Sequence, residues 1–203
     1  MLKRVRIIPN RRAKSYLVFN AAISGDFTQI PQMSSSDYVK ESWGKYKRYC
    51  SACPQDKSMN GLIFELIIKS ELYRKSILPM FLQASVAFVP NVAFDILLYS
   101  SEHFPIGLSL KTSLRERYKQ ADLEAVALKY VHRRAQNCLI TLDRAEADIA
   151  KRKAANGELL GINEVIIADS NDFDVLIERL SQMDFIRPEK IDIISASSIV
   201  TRA

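Results

Sequence analysis

Asp95 stands alone in the apolar run Val92-Ala93-Phe94-Asp95-Ile96-Leu97-Leu98. An ionised carboxylate buried without a partner is very costly, so it needs a cation, a set of donors or an exposed strand end. Further along, Ser109-Leu110-Lys111-Thr112-Ser113 reads as a strand. Side chains alternate along it, so Ser109, Lys111 and Ser113 share one face, and Leu110 points the other way. If the two segments form a hairpin, Asp95 and Lys111 meet at one edge of a sheet. An acid beside a lysine can hold a divalent cation and orient an attacking water. Taken alone, the pair reads first as a buried salt bridge, because structural ion pairs are common.

Other chemistries have less support. Cys50 and Cys53 form a lone Cys-x-x-Cys, Cys138 lies far off in an apolar run, and the histidines are His103 and His132. A structural zinc wants four nitrogen or sulfur ligands, so the cysteines read as reduced, unligated thiols. The net charge is +6, and residues 1 to 57 hold eleven Lys or Arg against four acids. That basic quarter is interleaved with Tyr38, Trp43, Tyr46 and Tyr49, a composition suited to a polyanion partner or to a solvated surface. Lys151-Arg152-Lys153 reads as a solvated helix face, and His132, followed by Arg133-Arg134, as a surface position.

The string SLKTSLRERYKQADLE, residues 109 to 124, resembles the catalytic core of a group of type II restriction endonucleases in the PD-(D/E)XK superfamily. The superfamily pattern is an Asp on one strand followed by carboxylate-x-Lys on the next. In this group a small polar residue replaces the middle carboxylate, and an acid on the following helix compensates. Its run of Lys-Thr-Thr/Ser, an Arg- and acid-rich turn, an aromatic, a Gln and a Glu is matched by Lys111, Thr112, Ser113, Arg115, Glu116, Arg117, Tyr118, Gln120 and Glu124. Phe94 stands where the superfamily pattern has Pro, and Ser109 where most members keep an acid.

The resemblance implies a catalytic set of Asp95, Lys111, Glu124 and Ser109, with Mg²⁺ (Mn²⁺ able to substitute) held by Asp95 and Glu124 and supported by Glu65. Spacing alone does not separate Glu124 from Glu116; the resemblance selects Glu124. Arg115, Arg117, Gln120, Thr112 and Ser113 are the expected nucleic-acid contacts. Arg suits bidentate phosphate binding, and the like charges of Arg115 and Lys119 on one helix face mildly favour an anionic partner.

Elements able to position these residues follow from periodicity. A helix is expected from Gly61 to about Leu82, carrying Glu65 and Glu71. Strands follow at Ala84–Val89, Asn91–Tyr99 and Ile106–Ser113, with Pro90 or Asn91 between the first two. Next come a helix from Leu114 to about Ala135, a strand at Cys138–Leu142, a helix at Arg144–Ala155, a strand at Glu164–Ala168 and a Ser170- or Asn171-capped helix to Met183. Asp37 is a candidate helix cap after the Ser34-Ser35-Ser36 loop.

The fold class is α/β, with a restriction-endonuclease-like αβββαβ core in a central mixed sheet flanked by helices. Residues 1–57 form a basic extension on or next to a catalytic domain at 58–203. Hydrophobic residues at 48% and charged residues at 26% exclude a disordered chain. The apolar stretch from Ile77 to Tyr99, broken by Pro79, Gln83, Pro90 and Asp95, is not a membrane span. No apolar leader core follows Met-Leu-Lys-Arg-Val-Arg, so the expected compartment is the cytoplasm. The expected protein is a Mg²⁺-dependent DNA endonuclease, a homodimer if it reads a palindrome, with no small-molecule cofactor. The alternatives are a nuclease for branched or damaged DNA or RNA, and a nucleic-acid-binding protein that keeps the fold without the chemistry.

Overall fold

Nearly continuous burial along the apolar strands marks a sheet covered on both faces. The computed structural model describes residues 7, 14–23, 33–89, 91–188, 194–195 and 198–201. Lys3, Arg4, Arg6, Arg11 and Arg12 of the basic amino-terminal quarter lie outside the described residues. In chain order come α1 (Lys14–Ile23), α2 (Ser35–Ala52), α3 (Lys57–Arg74), β1 (Met80–Val86), β2 (Phe94–Tyr99), β3 (Pro105–Lys111), α4 (Arg117–Val131), β4 (Gln136–Thr141), α5 (Arg144–Ala155), β5 (Glu164–Ile167), α6 (Asn171–Ser181), β6 (Ile194–Ser195) and β7 (Ser198–Val200). The run from α3 to β4 has the expected αβββαβ order.

The sheet order is β5-β4-β3-β2-β1-β6, and β7 also pairs with β1. β1, β2 and β3 form an antiparallel meander, while β4 and β5 add in parallel on the far side of β3. The sheet is therefore mixed. Cys138, Ile140 and Ile166 turn to one face and pack with α3 and α6; Leu139, Val165 and Ile167 turn to the other and pack with α4 and α5. The Cys138 thiol is wholly buried there, and burial pushes its pKa up to about 12, so it is core and not a nucleophile. No helix among the described residues is long and apolar enough to cross a membrane.

Several boundaries differ from the sequence reading. The helix through Glu65 begins at Lys57 and stops at Arg74, and β1 already starts at Met80. Pro79 lacks an N–H and cannot continue a helix, and the turn before it closes with the Lys75 N–H donating to Glu71 O. Likewise α4 starts at Arg117, because Leu114 to Glu116 form a turn in which Arg115 takes a left-handed φ of 41°. Ser34, not Asp37, caps α2: its hydroxyl accepts from the Asp37 N–H, which puts Asp37 in the first turn. The aromatics of α2 form neither a polyanion-facing stripe nor a solvated surface, the two roles their mixture with basic residues suggests. Instead Tyr38 and Tyr46 are buried in the core, and Trp43 and Tyr49 pack against it. Their spacing is the apolar stripe of an amphipathic helix.

Two fastenings fix the helices that flank the site. Glu71 is fully buried on α3 and accepts two bonds from Arg74, at 2.7 and 2.9 Å, and one from the Ser35 hydroxyl at 2.5 Å. On α4, the Asp122 carboxylate accepts the backbone N–H groups of Leu160, Gly161 and Ile162 at 3.2, 2.8 and 3.0 Å. Gly161 has no room for a side chain, since a Cβ there would lie 2.5 Å from the Asp122 carbonyl oxygen. Replacing Asp122 by Ala leaves three backbone donors without their charged acceptor. We expect Asp122→Ala to lose about 3 kcal/mol in denaturant unfolding; a loss within about 0.5 kcal/mol, the usual range for an inert surface change, would show that α4 is not held this way.

Candidate active site

Asp95 sits where β2 and β3 part. Their register runs from Tyr99↔Pro105 to Ile96↔Leu108 and stops one residue short of Asp95. The Leu110 N–H then donates to Asp95 Oδ2 at 2.7 Å, so the carboxylate takes over a backbone donor facing β2. Phe94 is buried beside it with its ring over Gly107, where a Cβ would come within 2.7 Å of the ring. A bulky residue before Asp95 is thus accommodated by a glycine on the neighbouring strand.

Lys111 Nζ lies 3.4 Å from the same Oδ2, and both side chains keep partial contact with solvent. The expected acid–lysine meeting therefore occurs, but in the middle of the sheet. Parallel pairing of β4 along β3, which includes Lys111↔Thr141, places the pair at strand ends instead of along an edge strand.

Asp95 Oδ1 faces a different neighbour. Gln83 Nε2 lies 3.4 Å from it and 3.5 Å from Glu65 Oε2. Glu65 Oε2 also accepts from Lys69 Nζ at 2.7 Å, one helical turn further along α3, and the Lys69 side chain is only 8% exposed. The cluster is thus Lys69, Glu65, Gln83, Asp95 and Lys111, two acids between two lysines, bridged by one amide. Glu65 was expected from the resemblance. Gln83 and Lys69 were missed, although a Gln inside an apolar strand and a Lys one turn after a site acid were signals in the sequence.

The remaining predicted residues are placed differently. Ser109 is buried on β3, with Leu139 of β4 as its register partner. Thr112 and Ser113 are half-buried in the turn after β3. Glu124 accepts from Gln120 Nε2 at 2.8 Å along α4, and among the described contacts neither residue reaches Asp95, Lys111 or Glu65. Arg115 and Arg117 are exposed and make no ion pair among the described residues, whereas Lys119 is taken up by Glu116 at 3.0 Å. The Arg115–Lys119 repulsion read from spacing is therefore relieved locally. Lys151 and Lys153 pair with Asp172 and Glu158, as surface residues do. His132 ends α4, and partial burial lowers its pKa.

Among the described residues no three of His, Cys, Asp and Glu stand close enough to form a metal centre. Mg²⁺ needs only one or two carboxylates, with waters and substrate oxygens for the rest. Asp95 and Glu65, which share a single weak amide donor, fit that ion; their all-oxygen chemistry fits zinc poorly.

No family model matches the chain, and no curated protein does. Two solved structures are similar to it at 16% identity. One is a complex of restriction endonuclease PspGI with substrate DNA, with a TM-score of 0.49 over 83% of this chain and 76% of that one. The other is metal-depleted Ecl18kI in complex with uncleaved, modified DNA, with a TM-score of 0.43 over 83% of this chain and 63% of that one. At this distance the likeness assigns neither a family nor an activity.

Gln83 holds a left-handed φ of 47°, although the ladder is regular on both sides of it, at Leu82↔Ile96 and Ala84↔Phe94. That conformation costs a side chain-bearing residue about 1–2 kcal/mol, against about 0.5–1 kcal/mol of chain entropy for a glycine there. Gln83→Gly is therefore expected to melt no lower than the parent protein; a clear drop in melting temperature would mean that the side chain supports the fold.

Proposed function

We propose that this protein is a Mg²⁺-dependent nuclease that hydrolyses DNA phosphodiester bonds, in the manner of type II restriction endonucleases. What supports the reading is the Asp95 carboxylate: Oδ2 is committed to the Leu110 N–H and Lys111, while Oδ1 turns toward Glu65. An acid fixed through one oxygen, with the other presented beside a second acid and a lysine, is the arrangement that phosphodiester cleavage requires.

Asp95 and Glu65 would hold the cation, with Mn²⁺ able to substitute. A cation held there would supply charge neutralisation on the phosphoryl oxygens and activation of water. Lys111 would orient the attacking water and offset phosphate charge. Arg115 and Arg117, exposed and without an ion pair among the described residues, would grip the phosphate backbone with Thr112, Ser113 and Gln120. Glu124 as a metal ligand and Ser109 as a member of the catalytic set rest on the motif resemblance alone; Glu124 bonds to Gln120 along α4 and makes no described contact with Asp95. A twofold homodimer is the simplest way to cut both strands of a palindromic site.

One observation favours a second reading, a nucleic-acid-binding protein without chemistry: Ser109 brings no acid, and among the described residues the site gathers two carboxylates.

Incubation with plasmid and phage DNA separates the two. The nuclease gives Mg²⁺-dependent fragments that EDTA abolishes. Lys111→Ala slows cleavage by about 10²–10⁴-fold while keeping salt-sensitive DNA binding. Full-rate cleavage by folded Lys111→Ala or Asp95→Ala would sink the assignment, and binding without any cleavage by the parent protein selects the second reading.

A further inference from the structure

Gln83 is held in a strained backbone conformation yet makes only two long hydrogen bonds, at 3.4 and 3.5 Å, to two different acids. Bonds that long contribute little, so they do not account for a left-handed residue inside a strand. Gln83 lies within β1, which pairs with β2 on its inner side. On the inner side Gln83 falls opposite Asp95, between the pairs Leu82↔Ile96 and Ala84↔Phe94. Its side chain thus reaches the one point that Asp95 Oδ1 and Glu65 Oε2 both face.

We infer that Gln83 is a third oxygen ligand of the metal, bound through its carboxamide Oε1. This rests on the nuclease reading above. A carboxamide carries a donor and an acceptor of nearly equal size on one carbon, and rotation about the last side-chain bond exchanges them. With no cation present, the NH₂ end faces the two carboxylates, because it is the end they attract. With a divalent cation between those carboxylates the electrostatics reverse: the NH₂ is repelled, and the carbonyl oxygen is drawn to the ion. Amide carbonyls are ordinary ligands for hard divalent cations. The proposal makes up in part for the small number of acids in this site: a neutral oxygen from β1 supplies what Ser109 does not.

The test is Mn²⁺ affinity of the DNA-free protein, read from the electron paramagnetic resonance of free Mn²⁺. The parent, Gln83→Leu, Gln83→Glu and Asp95→Asn are compared, with thermal melts to show that each is folded. Gln83→Leu is expected to weaken Mn²⁺ binding by about tenfold or more, in the range seen when a group supporting a metal site is removed. Gln83→Glu, which keeps an oxygen at the same reach, restores or exceeds parental affinity. If folded Gln83→Leu binds Mn²⁺ as the parent does, or Gln83→Glu is as weak as Gln83→Leu, the inference is overturned. Where the parent nevertheless cleaves DNA with Mg²⁺, the nuclease reading survives that result. A parent that neither binds Mn²⁺ nor cleaves DNA removes both.

Discussion

The site is organised by a carboxylate standing in for part of a β-ladder. Where β2 and β3 separate, the Leu110 N–H would lack its partner, and Asp95 Oδ2 supplies one at 2.7 Å. A charged acceptor gives a stronger bond than a neutral carbonyl, so the opening of the strands is stabilised. The same bond fixes the carboxylate, because with Oδ2 held, Oδ1 can face only away from β3, toward Gln83 and Glu65. Lys111, next along β3, necessarily ends close to Oδ2. Structural support and chemical readiness are one arrangement at this residue.

The surrounding helices supply what the strands cannot. α3 brings Glu65 and Lys69 on one stripe and is itself anchored by the buried Glu71–Arg74–Ser35 group, with the Arg74 guanidinium stacked over Tyr38. A fully buried acid is tolerable there because each of its oxygens is bonded. α4 is held at Asp122 by three backbone N–H groups, which sets where Arg117, Gln120 and Glu124 can be. Both of these acids are buried, with bonds of 2.5 to 3.2 Å reaching both oxygens. Asp95 and Glu65 keep some contact with solvent, and Asp95 Oδ1 has only the 3.4 Å contact from Gln83 among the described residues. That contrast, more than any count of acids, separates the framework carboxylates from those able to take a ligand.

Much of the fold was legible because its signals are local. Alternation placed Asp95, Ser109 and Lys111 on strands, and the order helix, three strands, helix, strand followed from changes of period. Boundaries were less legible where a turn depended on positive φ, as at Ser76 before Pro79 and at Arg115 before α4. The aromatics of α2 misled for a different reason. A stripe of Tyr and Trp among basic residues has the same composition whether it stacks on bases or packs into a core, and only the neighbouring α3 decides.

By itself, the sequence determined that an acid and a lysine would lie on successive strands and that a helix opening with arginines would follow them. Those features are set by residue type and by periods of two and 3.6. Tertiary structure alone decided which acids share a point in space. It joined Asp95 to Glu65 through Gln83, gave Asp122 and Glu71 to the framework, and left Glu124 bonded to Gln120 along its own helix. The physical reason is that a carboxylate's role depends on which donors reach each of its oxygens and how closely. Those donors come from segments distant in sequence, brought together only when the sheet and helices close on one another.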